Sequence, residues 1–213
     1  MELEISEAPV IYQDQDEGLQ RLVIVAIPSG AVYDELYGLM KTLSTLTCSR
    51  TAITYPPHMT LRTGVMVPEK ETGTFIREFG RIIEKERAIS SGVKTEGLRA
   101  FSYWEEENQK YIILYSVRKS QALADLNKRL LGYERYKKSN KTVFQPHISL
   151  LYGDVDRESF ETAKLFVGER PEIFDRFFSF DLDNISILAQ DSSGAWSLFH
   201  RYELSETNTS KRQ

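Results

Sequence analysis

The chain has 213 residues, of which 41% are hydrophobic and 27% charged, with a formal net charge of −4. No apolar run reaches the roughly 18–20 residues of a membrane span, and the acidic opening "MELEISEAPVIYQDQDEG" lacks the features of a signal peptide. Cys48 is the one cysteine, so no internal disulfide can form and a reducing, cytoplasmic home is expected.

"RLVIVAIP" (21–28) reads as a buried strand, β-branched and closed by proline. Val32, Leu36, Leu39, Met40, Leu43 and Leu46 follow with helical spacing. "TAITYPPHMTLRTGVMV" reads as a strand entered through a rigid Pro-Pro corner. Phe75, Ile76, Phe79, Ile82 and Ile83 mark a second helix, and 92–104 is extended. "KYIILYSV" (110–117) begins a second round, with Ser120 as the N-cap of a helix carrying Leu123, Leu126, Leu130 and Leu131. "TVFQPHISLLYGD" is then a strand, 158–167 a short helix, and "FSFDLDNISILA" and "AWSLFHRYEL" closing strands. Residues 1–20 read as an acidic leader, 21–204 as one bilobal domain and 205–213 as a polar tail.

The two rounds match. Val32 lies 26 residues before His58, and Gln121 lies 26 residues before His147. Leu36 and Met40 fall opposite Leu126 and Leu130 at an offset of ninety. A strand–helix–strand unit repeated at that distance indicates a duplicated lobe and a pseudo-twofold relation across a shared cleft.

Each round contains one short motif, "PPHMTL" and "QPHISL". Alternation on a strand puts His58 and Thr60 on one face and Met59 and Leu61 on the other. His147 and Ser149 pair in the same way, against Ile148 and Leu150. A cleft between such strands holds two imidazoles and two hydroxyls. Near neutral pH, one imidazole can take a proton from water while the other gives one to a leaving oxygen. The hydroxyls can donate to non-bridging phosphate oxygens, where charge builds in the transition state.

Arg62, two residues past Thr60, falls on the same face by alternation and could touch a phosphate, although at the strand's far end it is expected to be solvated. Tyr55 and Tyr115 are candidates for stacking on a base. His200 has no hydroxyl residue two positions on and is expected to be structural. Eight Lys and Arg lie between Arg118 and Lys141, a solvated face or a local positive field for a phosphorylated ligand. The histidines lack clustered partners for a metal, and neither a G-x-S-x-G elbow nor a P-loop occurs.

On these motifs the chain resembles the two-histidine phosphoesterase superfamily, and "QPHISLLYGD" resembles its cyclic phosphodiesterase branch. The resemblance implies an α+β fold, bilobal, with duplicated α/β lobes whose two antiparallel sheets face a central cleft. It implies hydrolysis of a 2′,3′-cyclic phosphate, or of ADP-ribose 1″,2″-cyclic phosphate, by catalytic His58 and His147, without cofactor or metal. Thr60 and Ser149 would bind the phosphate, as would Tyr152, which strict alternation places on the face opposite His147. The expected partner is a small phosphorylated nucleotide or an RNA 3′ terminus, bound by a monomer away from membranes. Linear 2′–5′ or 3′–5′ oligonucleotides, and a non-catalytic module binding nucleotides or RNA ends, are the alternatives. An acidic chain favours small substrates over long RNA.

Overall fold

The computed structural model describes residues 18–86, 92–105, 108–130, 144–192 and 194–204. Leader residues 1–17, residues 131–141 of the basic stretch and the tail 205–213 lie outside the described residues. The strands are β1 (Leu19–Ala26), β2 (Met59–Pro68), β3 (Gly92–Glu105), β4 (Asn108–Val117), β5 (His147–Tyr152), β6 (Ser179–Asp181), β7 (Asn184–Gln190) and β8 (Trp196–Glu203). The helices are α1 (Gly30–Thr47), α2 (Thr72–Glu86), α3 (Gln121–Leu130), α4 (Arg157–Gly168) and the single turn α5 (Pro171–Phe174). The expected proline corner precedes β2, but Thr51–Ile53, ahead of it, form a short 3-10 turn and not part of the strand.

The helical spacing becomes burial. Leu36, Met40 and Leu43 of α1 and Leu123, Leu126 and Leu130 of α3 are all buried against the sheet. Ser120 caps α3, its hydroxyl accepting from the Leu123 amide at 3.2 Å. Asp156 does the same for α4, accepting from the Ser159 amide at 2.8 Å. Each cap satisfies an amide that the first helical turn leaves without a carbonyl.

All eight strands form one antiparallel ladder in the order β6-β3-β4-β5-β2-β1-β7-β8. The two expected sheets are its halves, β6-β3-β4-β5 and β2-β1-β7-β8. They are continuous because Met59 of β2 pairs with Ile148 of β5 at the seam.

"FSFDLDNISILA" is two strands and not one. It divides into β6 at one edge of the ladder and β7 beside β1, with only Leu182 and Asp183 between them. In a flat sheet six strand steps would separate these by roughly 29 Å, whereas the linking residues reach about 11 Å. The ladder is therefore curled, bringing its halves round toward each other. The side chain of buried Asn184 fixes the start of β7, donating to the Ile27 carbonyl at 2.7 Å and accepting from its amide at 3.3 Å.

The helices cross over between the halves. α1, which leads into β2, packs on β5, while α3, which leads into β5, packs on β2. Asn127 of α3 donates to the Leu61 carbonyl at 2.6 Å. Each half therefore completes the other's core.

Candidate active site

The motif prolines set the histidines. Pro57 and Pro146 are buried and force the residues before them, Pro56 and Gln145, into extended backbone. Their carbonyls accept from the imidazoles, His58 Nδ1 to Pro56 O at 2.8 Å and His147 Nδ1 to Gln145 O at 2.9 Å. A carbonyl can only accept, so Nδ1 carries the proton in both rings. Each neutral imidazole thus keeps its lone pair on Nε2, the reactive nitrogen of a base.

The seam then assembles the four side chains. Met59 and Ile148 pair, both 0% exposed and turned to the helices. One residue to either side, the antiparallel register sets His58 opposite Ser149 and Thr60 opposite His147. All four are half-buried on the helix-free face. His58 and His147 occupy a diagonal of this square, where Cα atoms are roughly 7–8 Å apart.

Both motif strands carry a β-bulge at the motif leucine. On β5, Ser149 pairs with Leu114 while Leu151 pairs with Ile113, which leaves Leu150 over. On β2, Thr60 pairs with Val25 while Arg62 pairs with Ile24, which leaves Leu61 over. Both leucines are 1% exposed. An extra residue resets the alternation beyond it.

The bulge corrects the placement of Tyr152. It pairs with Ile112, on the face of Leu114 and Ser149, and so shares a face with His147. Its ring lies 6.4 Å from that of Tyr103, a site-face residue that strand alternation from the motif alone does not reveal. Arg62 is corrected the other way, since pairing with Ile24 gives it the face opposite Thr60.

Tyr55 lies at the site, its ring edge-on to His58 at 5.3 Å, and burial pushes its phenol up to about 12. Tyr115 does not. It is 0% exposed on the helix side and donates to the Ile173 carbonyl at 2.7 Å, which makes it core and not a stacking platform. His200 pairs with Ile187 on the helix side and stacks edge-on with Tyr202 at 4.4 Å, a structural position.

Burial lowers the His58 imidazole to about 4 against the support of the Pro56 carbonyl, and His147 lowers it further. Burial also lowers His147, opposed by its hydrogen bond to Gln145. The effect of His147 on His58 puts the two rings within electrostatic reach of each other.

Asp154, just past Tyr152, clasps the two halves. Its carboxylate accepts from the Ser49 hydroxyl at 2.5 Å and from the Arg50 and Thr51 amides at 2.8 Å. Burial works against its ionised form, but these hydrogen bonds together hold the carboxyl below its usual range. The clasp fastens the turn that leads to Pro56 and His58 onto the end of β5. Among the described residues, no three His, Cys, Asp or Glu side chains are grouped to hold a metal ion, and no helix is long and apolar enough to cross a membrane.

Residues 22–210 match the family described as cyclic phosphodiesterase-like protein. A Bacillus cereus (strain G9842) protein named as a candidate phosphoesterase is 24% identical over 188 residues, covering 88% of this chain and 99% of the relative. A similarly named protein of Bacillus thuringiensis (strain Al Hakam) is 24% identical over 189 residues, covering 88% and 99%. Among solved structures, TT0787 of Thermus thermophilus has a similar fold, with TM-score 0.52, 15% identity and coverage of 87% and 99%. The LigT protein of E. coli, complexed with 3′-AMP, has TM-score 0.53, 14% identity and coverage of 88% and 99%.

Proposed function

The chain belongs to the cyclic phosphodiesterase-like family of two-histidine phosphoesterases, and from that premise we propose that it hydrolyses a cyclic phosphodiester to a phosphomonoester. The substrate is a 2′,3′-cyclic phosphate on a nucleotide or RNA 3′ terminus, or ADP-ribose 1″,2″-cyclic phosphate. The observation that carries this reading is the square of His58, Ser149, Thr60 and His147 on one sheet face.

In this reading the phosphate sits over the square. His58 Nε2 takes a proton from the attacking water as its oxygen bonds to phosphorus. His147, protonated on Nε2, gives a proton to the ring oxygen that leaves phosphorus. One P–O bond forms, one breaks, and no net proton is consumed between the two rings. Thr60 and Ser149 donate to the non-bridging oxygens, and Tyr152 borders the phosphate from the end of β5.

Support for this order of roles comes from the imidazoles themselves. Burial lowers His58 to about 4, so near neutral pH its Nε2 lone pair is free to take a proton, which suits the base. Bound phosphate, an anion, draws a proton onto His147, which suits the acid.

The test is turnover of a panel of cyclic phosphates and 2′–5′ dinucleotides in EDTA, with the product isomer identified. Hydrolysis of the cyclic phosphates, lost in His58→Ala and in His147→Ala while both remain folded, is expected. Full activity in either variant would refute the acid–base assignment. Activity only on the linear dinucleotides would move the substrate class.

A further inference from the structure

Beyond the square, the two halves offer a substrate different chemistry. Outward from Ser149, the cross-strand row on the site face passes through Leu114 of β4 to Arg99 of β3. Outward from Thr60, the corresponding row passes through Val25 of β1 to Ser186 of β7. Leu114 and Val25 are equivalent apolar floor residues, 3% and 0% exposed. The residues past them are not equivalent.

Arg99 is exposed and has no ion pair or hydrogen bond among the described residues. Ser186 is 0% exposed, and its hydroxyl donates to Asn184 Oδ1 at 2.9 Å. One strand further out, Arg201 is held by Glu203 at 2.7 Å, with Asp183 at 4.0 Å. On the same face of β1, Arg21 is engaged with Gln190 Oε1 at 3.5 Å, and Val25, Ile27 and Leu188 pack against Tyr55 and Trp196. Among the described residues of these two rows, an uncommitted cation therefore stands on the β4–β3 side.

Two strand steps put Arg99 roughly 10 Å from Ser149. Its side chain covers part of that gap, leaving room for one nucleoside over Leu114. A planar guanidinium suits a phosphate because it can donate two parallel hydrogen bonds. We propose that Arg99 binds a second phosphate, one nucleoside away from the reacting one, so that the preferred substrate is phosphorylated on both sides of its terminal nucleoside. This inference rests on the reading that the reacting phosphate sits over His58, Thr60, His147 and Ser149. It fixes the direction of the substrate, whose charged continuation runs over the β4–β3 half.

The test is equilibrium binding of a nucleoside 3′,5′-bisphosphate and the matching 3′-monophosphate, which needs no turnover. Wild-type protein is expected to hold the bisphosphate about tenfold more tightly, an ordinary gain for one charge-assisted contact. Arg99→Ala should bring the ratio close to one, and the exposed position removes folding as an explanation. Lys110→Ala is the control. Lys110 lies on the same face but pairs with Tyr103, well along the strand from Arg99, and should keep the ratio. Equal wild-type affinities, or a tenfold ratio kept in Arg99→Ala, would overturn the inference while leaving the phosphate site standing. Binding of neither ligand would overturn the inference and the phosphate site together.

Discussion

His58 stands opposite Ser149 across the β2–β5 seam, one residue from the Met59–Ile148 pair. Each imidazole therefore faces the hydroxyl of the other motif, and His147 has the same relation to Thr60. In the proposed reading, phosphate held by Ser149 would be presented directly to His58. Removing either hydroxyl takes away one hydrogen bond to a charged group, worth roughly 1.5–3 kcal/mol. Thr60→Val and Ser149→Ala should each lower kcat/KM by about 10–100-fold, less than the loss of either histidine. Steady-state kinetics on a 2′,3′-cyclic nucleotide measures this, and unchanged kcat/KM in both variants would remove the phosphate-gripping role.

The depressed imidazoles set the pH dependence. The base must be neutral, and His58 becomes so above about 4; the acid must be protonated, and His147 is so only below its own lowered value, under 6.5. The optimum of kcat/KM, which reports the free protein, should thus fall on the acid side of 6.5. Bound phosphate raises the imidazolium, so the kcat optimum should lie at higher pH than that of kcat/KM. Initial rates over a pH series give both profiles, and a kcat/KM optimum on the alkaline side would contradict the assignment.

Asp154 should matter out of proportion to its place on the surface. Asp154→Ala loses the hydrogen bonds from Ser49, Arg50 and Thr51. About 1–3 kcal/mol of stability should go with them, together with part of kcat as the turn before His58 loosens. Because the folded carboxyl is held low, this contribution is present above the ordinary value of 3.8 and is lost as pH falls through the folded value. Denaturation of wild type and variant at two pH values tests it: the gap should be wide at neutral pH and narrow in acid.

The crossed helices predict cooperativity. With α1 on β5 and α3 on β2, neither half retains its core once the other unfolds. Far-UV circular dichroism and tryptophan fluorescence should report one coincident transition. Leu36→Ala, at a position 0% exposed, should move that transition as a whole by about 2–5 kcal/mol. Two separated transitions would contradict the interlock.

Local chemistry made much of this legible. Leu36, Met40, Leu126 and Leu130 announced their helices by spacing, and the paired motifs announced the site. What sequence left out depends on non-local contact. Alternation placed Tyr152 on the wrong face because the bulge at Leu150 appears only against the register of β4. The adjacent apolar pair Leu150 and Leu151 was its one local trace. The polar–apolar beat of Asp181-Leu182-Asp183 imitates a continuous strand, and the bonds from Asn184 to Ile27 are what divide it. Apolar spacing shows which face of α1 is buried but not which half of the sheet it covers.

The most direct measurement is a titration of the protein with a nucleoside 3′-monophosphate, following the Nε2 resonances of His58 and His147 by nitrogen-detected NMR. Both rings should respond with one shared dissociation constant and one-to-one stoichiometry, His147 moving toward the imidazolium. A response from only one ring, or two unrelated constants, would mean that the histidines do not share a phosphate.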